Sequence, residues 1–98
     1  MAETACDLLV IDGQPAIRGE CDATNAAALE LWLAGFGKAA IDVDLHDVTF
    51  FDAAALRAFL AAWHRNPNMR IVQPSAIVRR VLELTGASRC LVDGTMLP

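Results

Sequence analysis

Hydrophobic and polar positions change their period several times along the chain, and each change marks an element. CDLLVI, from Cys6 to Ile11, is a short apolar run closed by Asp12-Gly13-Gln14-Pro15, a grouping that turns the backbone. AIRGEC, from Ala16 to Cys21, can pair back on it as the second arm of a hairpin. Gly19 would weaken a strand interior, so it marks a bulge or the strand end. The period then becomes helical. Leu29, Trp32, Leu33 and Phe36 form one stripe, with Asp22 or Thr24 as the cap and Gly35 and Gly37 as the stop. From Ala40 to His46 strict alternation returns, with Ile41, Val43 and Leu45 to one side and Asp42, Asp44 and His46 to the other.

Beyond VTFF the pattern turns helical again at Ala53. Leu56, Phe59, Leu60 and Trp63 share a stripe, and Arg57 and His64 lie off it. Asn66-Pro67-Asn68 ends this helix, because proline cannot continue it and disfavours helix at the residue before. Met69 to Gln73 reads as a strand. Pro74-Ser75 opens a third helix striped by Val78, Val81, Leu82 and Thr85, with Ile77 and Leu84 beside the stripe and Gly86 at its C-cap. A last short strand is expected around Cys90 to Val92. The predicted order is β-β-α-β-α-β-α, with or without that final β. Strand–helix–strand crossovers imply parallel neighbours, so the fold class is α/β: a mixed four- to five-stranded sheet with helices mainly on one side.

The 98 residues suit one domain spanning 1–98, large enough to fold on an aliphatic core without metal or disulfide. A net charge of −4 argues against nucleic acid as a partner. Arg70, Arg79, Arg80 and Arg89 are spread out, as on solvated helix faces. The three cysteines, Cys6, Cys21 and Cys90, are odd in number and show no CxxC spacing. That speaks against a disulfide framework or zinc module and for a reducing, cytoplasmic setting with buried, inert thiols. A redox role would need an exposed thiol of low pKa. No signal-peptide pattern and no apolar run of membrane-spanning length is present.

Candidate chemistry is thin. Asp42, Asp44 and His46 share a strand face that could line a hard-metal or acid–base site, but a solvated face is the simpler account. There is no G-x-S-x-G, no GxGxxG and no phosphate loop, so no enzyme, metal or cofactor is expected. Phe50 and Phe51 are adjacent and point to opposite sides in an extended segment. Either one anchors a protein contact near the surface, or each packs against a different layer.

Three segments, taken together, resemble the STAS domain family of bacterial anti-sigma factor antagonists. IDVDLHDVTFFDAAALRAFLAAW is similar to its central motif, a strand ending DL-x-x-V-x-F-x-D that leads into S-S-G-L at a helix start. RGECDATNAAALELWL resembles the family's G-x-h-D-x-x-T-A-x-x-L segment (h is apolar). MRIVQPSAIVRRVLELTGASRCLV resembles its closing S-P-x-V-x-x-h-L-x-x-x-G pattern. The likeness runs from about residue 6 to residue 92, in order.

The resemblance implies a STAS fold and a regulatory module that binds a partner and performs no chemistry. The implied partner is an anti-sigma factor of the ATPase-type kinase class. The implied surface is Glu20, Asp22, Thr49, Phe51, Asp52, Ala53, Ala54, Leu56 and Arg57. In the family the kinase phosphorylates a Ser or Thr just after the motif Asp, and the added charge of about −1.5 to −2 breaks the complex. Here the motif Asp is Asp52, but Ala53 stands at the acceptor position, Ala54 at the next hydroxyl position and Ala55 at the glycine. No phosphate can be carried at Ala53. Thr49 is the alternative acceptor to test first, ahead of Thr24 and Ser75, whose positions suit helix starts. Asp52 keeps a local purpose as N-cap of its helix. Two further readings stand beside this one: an accessory STAS subunit bound to the ATPase of an ABC-type lipid transporter, and a nucleotide-binding STAS domain. The acidic balance and the missing phosphate loop speak against the last. A second copy of the same chain is an open alternative as partner.

Overall fold

The computed structural model describes residues 5–94. Four strands lie in the order β1 (Cys6–Ile11), β2 (Gln14–Cys21), β3 (Ile41–Phe51) and β4 (Met69–Val72). β1 runs antiparallel to β2, whereas β2–β3 and β3–β4 are parallel, as the predicted crossovers require. Helix α1 (Ala26–Ala34) joins β2 to β3, α2 (Ala53–Arg65) joins β3 to β4, and α3 (Ala76–Thr85) follows β4. The β1–β2 turn is tighter than the four residues expected. Ile11 pairs directly with Gln14, and both Asp12 (φ 51°) and Gly13 (φ 82°) adopt the left-handed conformation of a two-residue hairpin.

One face of the sheet and the helices share a single core. Ile17, Cys21, Val43, Leu45, Val48, Phe51, Met69 and Ile71 project from the strands into it, and Leu29, Leu33, Leu56, Phe59, Trp63, Val78 and Leu82 meet them from the helices. The opposite sheet face carries Arg18, Asp42, His46 and Asp47, all exposed. The helices therefore cover one side. The predicted stripes hold on α2 and α3, except that Thr85 is exposed, and Gly86 (φ 76°) forms the left-handed C-cap expected of it.

Two expectations are corrected. The strand expected around Cys90 to Val92 does not form: Ser88–Leu91 is a single helical turn, α4. Ala87, Cys90 and Leu91 are the buried positions, a helical spacing, and α4 packs on α2, α3 and β4 rather than pairing along the sheet. Nor does Asp22 or Thr24 cap α1. Asn25 is its N-cap position, and the Asp22 carboxylate accepts instead from the Thr24 backbone N–H at 2.9 Å, closing the turn ahead of the helix.

Candidate functional site

β3 runs to Phe51, five residues beyond the alternating stretch that announces it, and two register shifts explain why the alternation fails there. Between Ala16↔Asp44 and Arg18↔Asp47, β2 advances two residues while β3 advances three. Between Gly19↔Val48 and Glu20↔Phe50, β3 again spends one extra residue. Each shift resets which side chains face the core, so the buried positions are Val43 and Leu45, then Val48, then Phe51. The pair of adjacent phenylalanines is resolved by this phase. Phe51 is 3% exposed and packs on Phe59, with ring centroids 5.8 Å apart, whereas Phe50 is 44% exposed.

No loop separates β3 from α2. Phe51 ends the strand, Asp52 is the N-cap and Ala53 is the first helical residue. The Asp52 carboxylate accepts from the Ala55 N–H at 3.0 Å, the capping geometry expected of it, and the Asp52 N–H donates to the Cys21 carbonyl at 3.3 Å. This second bond ties the junction to the end of β2, where the chain turns toward α1. Asn25 fixes that turn from within: its side chain accepts from the Asp22 N–H and donates to the Glu20 carbonyl, both at 2.9 Å. Glu20, Asp22 and Asp52 thus sit together at the carboxyl ends of adjacent parallel strands, beside Phe50, which pairs with Glu20.

Of the surface expected from sequence, Glu20, Asp22, Thr49, Asp52, Ala53, Ala54 and Arg57 are at least partly accessible. Phe51 and Leu56 are not. Both are core residues, Leu56 at 7% exposure, so neither can meet a partner on the folded surface, and Phe50 takes the aromatic's place. Thr49 lies within β3 rather than on a loop, with an exposed side chain. Ala53 is exposed at the acceptor position, while Ala55, at the glycine position, is fully buried. Ser75 occupies the N-cap of α3, but its hydroxyl is buried and makes no capping bond.

On the open face His46 bonds to Asp44, Nδ1 to carboxylate oxygen at 2.8 Å, and its Nε2 lies 3.2 Å from Asp47, which in turn pairs with Arg18 at 3.4 Å. The hydrogen bond to Asp44 raises the His46 pKa above its ordinary value, helped by the charges of Asp44 and Asp47. Burial pushes the Asp44 carboxyl up, but the two hydrogen bonds from His46 outweigh it and hold the group below the usual carboxylate range. A solvated face was anticipated as the simpler account; its internal pairing is seen only in the structure. Among the described residues no cluster of three or more His, Cys, Asp or Glu side chains could hold a metal ion. No helix of the described residues is long and apolar enough to cross a membrane.

Sequence reasoning missed two features. Asn66, read as a helix stop, is a buried tie: its side chain donates to the Ala39 carbonyl at 2.8 Å and accepts from the Asn68 N–H at 3.1 Å. Cys6 and Cys21, read as buried, inert thiols, have their sulfurs 3.7 Å apart, and Cys6 is only half-buried. The hairpin turn was the signal for the second. A two-residue Asp12-Gly13 turn places Cys6 opposite Gly19, two residues from Cys21.

The fold is a mixed four-stranded sheet with its helices on one face and a helix capped by Asp52 directly at the end of the parallel strand β3. The family follows. The STAS domain model matches residues 13–95, and the chain belongs to the STAS domain family. Among solved structures it is similar to the crystal structure of an anti-sigma factor antagonist from Mycobacterium paratuberculosis. That likeness has a TM-score of 0.67 at 22% identity and covers 89% of this chain and 81% of the other. No curated protein sequence matches the chain.

Proposed function

We propose that this STAS domain is an anti-sigma factor antagonist that binds an ATPase-type anti-sigma kinase and escapes phosphorylation at the usual position. The observation that carries the reading is the β3–α2 junction. Asp52 keeps the capping geometry of the motif, while the exposed first helical residue, Ala53, has no hydroxyl to accept phosphate. The contact surface is Glu20, Asp22, Thr49, Phe50, Asp52, Ala53, Ala54 and Arg57. Phe50 supplies an apolar anchor, and the carboxylates around it favour a partner presenting basic groups. The domain acts by binding and carries out no reaction, in the cytoplasm where such kinases work.

Capture from native lysate tests this. The unaltered chain should retain an ATPase-type protein, and Phe50→Ala and Ala53→Asp should each weaken retention about tenfold or more, since losing a central aromatic anchor typically costs 2 kcal/mol or above. Unchanged retention by both variants rules out this surface. With the captured kinase and ATP, Ala53→Ser should gain a phosphate that the unaltered chain does not. The missing hydroxyl equally suits an accessory subunit on a lipid-transporter ATPase, and the identity of the retained ATPase separates the two readings.

A further inference from the structure

The hairpin that opens the fold ends in two thiols that no part of the proposed surface uses. Cys6 faces Gly19 across the strands. Gly19 has φ 96°, and a Cβ built on it would meet the Ala5 carbonyl oxygen at 2.2 Å, so the backbones approach too closely there for any side chain. Gly19 therefore presents no side chain opposite Cys6, and Cys6 Sγ lies 3.7 Å from Cys21 Sγ, two residues further along β2. The two thiols differ in access: Cys6 is half-buried and Cys21 wholly buried.

We propose that Cys6 and Cys21 are a redox site, a dithiol that hydrogen peroxide oxidises to an intramolecular disulfide and that a small thiol reductant reopens. The accessible Cys6 thiolate attacks a peroxide oxygen. The O–O bond breaks, Cys6 becomes a sulfenic acid, and the leaving hydroxide takes a proton to form water. Cys21 sulfur then attacks the sulfenic sulfur; the S–O bond breaks, the Cys21 proton leaves with the second water, and the S–S bond forms. Two thiols have lost two protons and two electrons, and the peroxide has become two waters. The direction of attack follows from access, because Cys21 is wholly buried and Cys6 is not. In the same sense, the hydrogen bond between the two sulfurs lowers the Cys6 pKa, and that bond together with burial raises that of Cys21. Closure would be felt at the functional surface, because the Cys21 carbonyl accepts the Asp52 N–H.

The full chain at low micromolar concentration, treated with hydrogen peroxide, denatured and alkylated, tests this without any partner. Cleavage after Arg18, Lys38 and Arg89 puts Cys6, Cys21 and Cys90 in three different peptides. Before alkylation the expected result is a monomer lighter by about 2 Da; after it, the Cys6 and Cys21 peptides are joined and unalkylated, Cys90 is alkylated, and dithiothreitol reverses the change. Cys90→Ala should keep the link and Cys6→Ser, at the half-exposed position, should abolish it. Sulfinic acid at Cys6 with Cys21 still alkylated, a link through Cys90, or a link between chains overturns the proposal. Amide exchange at Asp52 should slow at least about threefold on oxidation. Equal rates in the two forms overturn the connection to the α2 cap.

Discussion

Asp52 survives in a motif whose usual acceptor has become a methyl group, and its hydrogen bonds give a reason independent of phosphorylation. The carboxylate satisfies the Ala55 N–H, one of the donors that a helix start leaves without a partner, and sits at the positive end of the thirteen-residue α2. Asp52→Ala should cost about 1 kcal/mol of stability. Urea unfolding would show it as a lower midpoint at unchanged slope, and an unaltered midpoint would deny the cap any energetic weight. Position by position, the alanines that follow differ. Ala53 is exposed, so the fold tolerates exchange there, whereas Ala55 lies against the core with no exposed area. A hydroxyl restored at Ala53 costs the fold little; a larger side chain at Ala55 would overpack it.

Among the elements, β2 and β3 carry the irregularities that shape the site. The extra residues in β3 turn Phe51 inward and leave Phe50 outside, and the left-handed Gly19 lets the edge strand β1 close on β2. Gly19→Ala would force both a positive φ and a contact with the Ala5 carbonyl, whose oxygen accepts the Glu20 N–H at 2.8 Å. A loss of about 1–3 kcal/mol is expected, with amide exchange accelerating first in β1. Uniform acceleration across all strands would show instead that β1 opens only with the whole domain. The salt bridge from Arg65 on α2 to Glu30 on α1, 3.1 Å long and exposed, adds little beside the apolar contacts of these two helices.

At the scale of the whole molecule, the two sheet faces respond to pH differently. The helix-covered face is aliphatic and aromatic, while the open face holds the cluster Arg18, Asp44, His46 and Asp47. His46 binds its proton more tightly folded than unfolded, so its contribution is complete below its ordinary value of 6.5 and is lost as pH rises through the raised folded value. Asp44 works in the opposite sense: its contribution is present above the ordinary carboxylate value of 3.8 and disappears as pH falls through the lowered one. Global stability, measured by denaturant unfolding between about pH 5.5 and 8, should therefore decline as His46 loses its proton. His46→Asn should flatten that decline, and an equal slope in both proteins would place its origin elsewhere.

Much of this protein was determined by neighbours along the chain. Alternation at Ile41, Val43 and Leu45, the stripe from Leu56 to Trp63, the turn at Asp12-Gly13 and the C-cap at Gly86 are local signals, because side-chain period and turn dihedrals depend on residues a few positions apart. The order of elements, the Asp52 cap and the absence of a hydroxyl at position 53 could all be read in that way. Tertiary structure decided the rest. Which phenylalanine faces the core depends on where β3 slips against β2, and no tight turn joins these two strands to fix their register locally. Leu56 fits its helical stripe, yet only the packed core shows that the stripe removes it from the surface. The tail winds into α4 because Ala87, Cys90 and Leu91 find α2, α3 and β4 to pack on. Cys6 and Cys21, fifteen positions apart, became a pair through the fold of the hairpin.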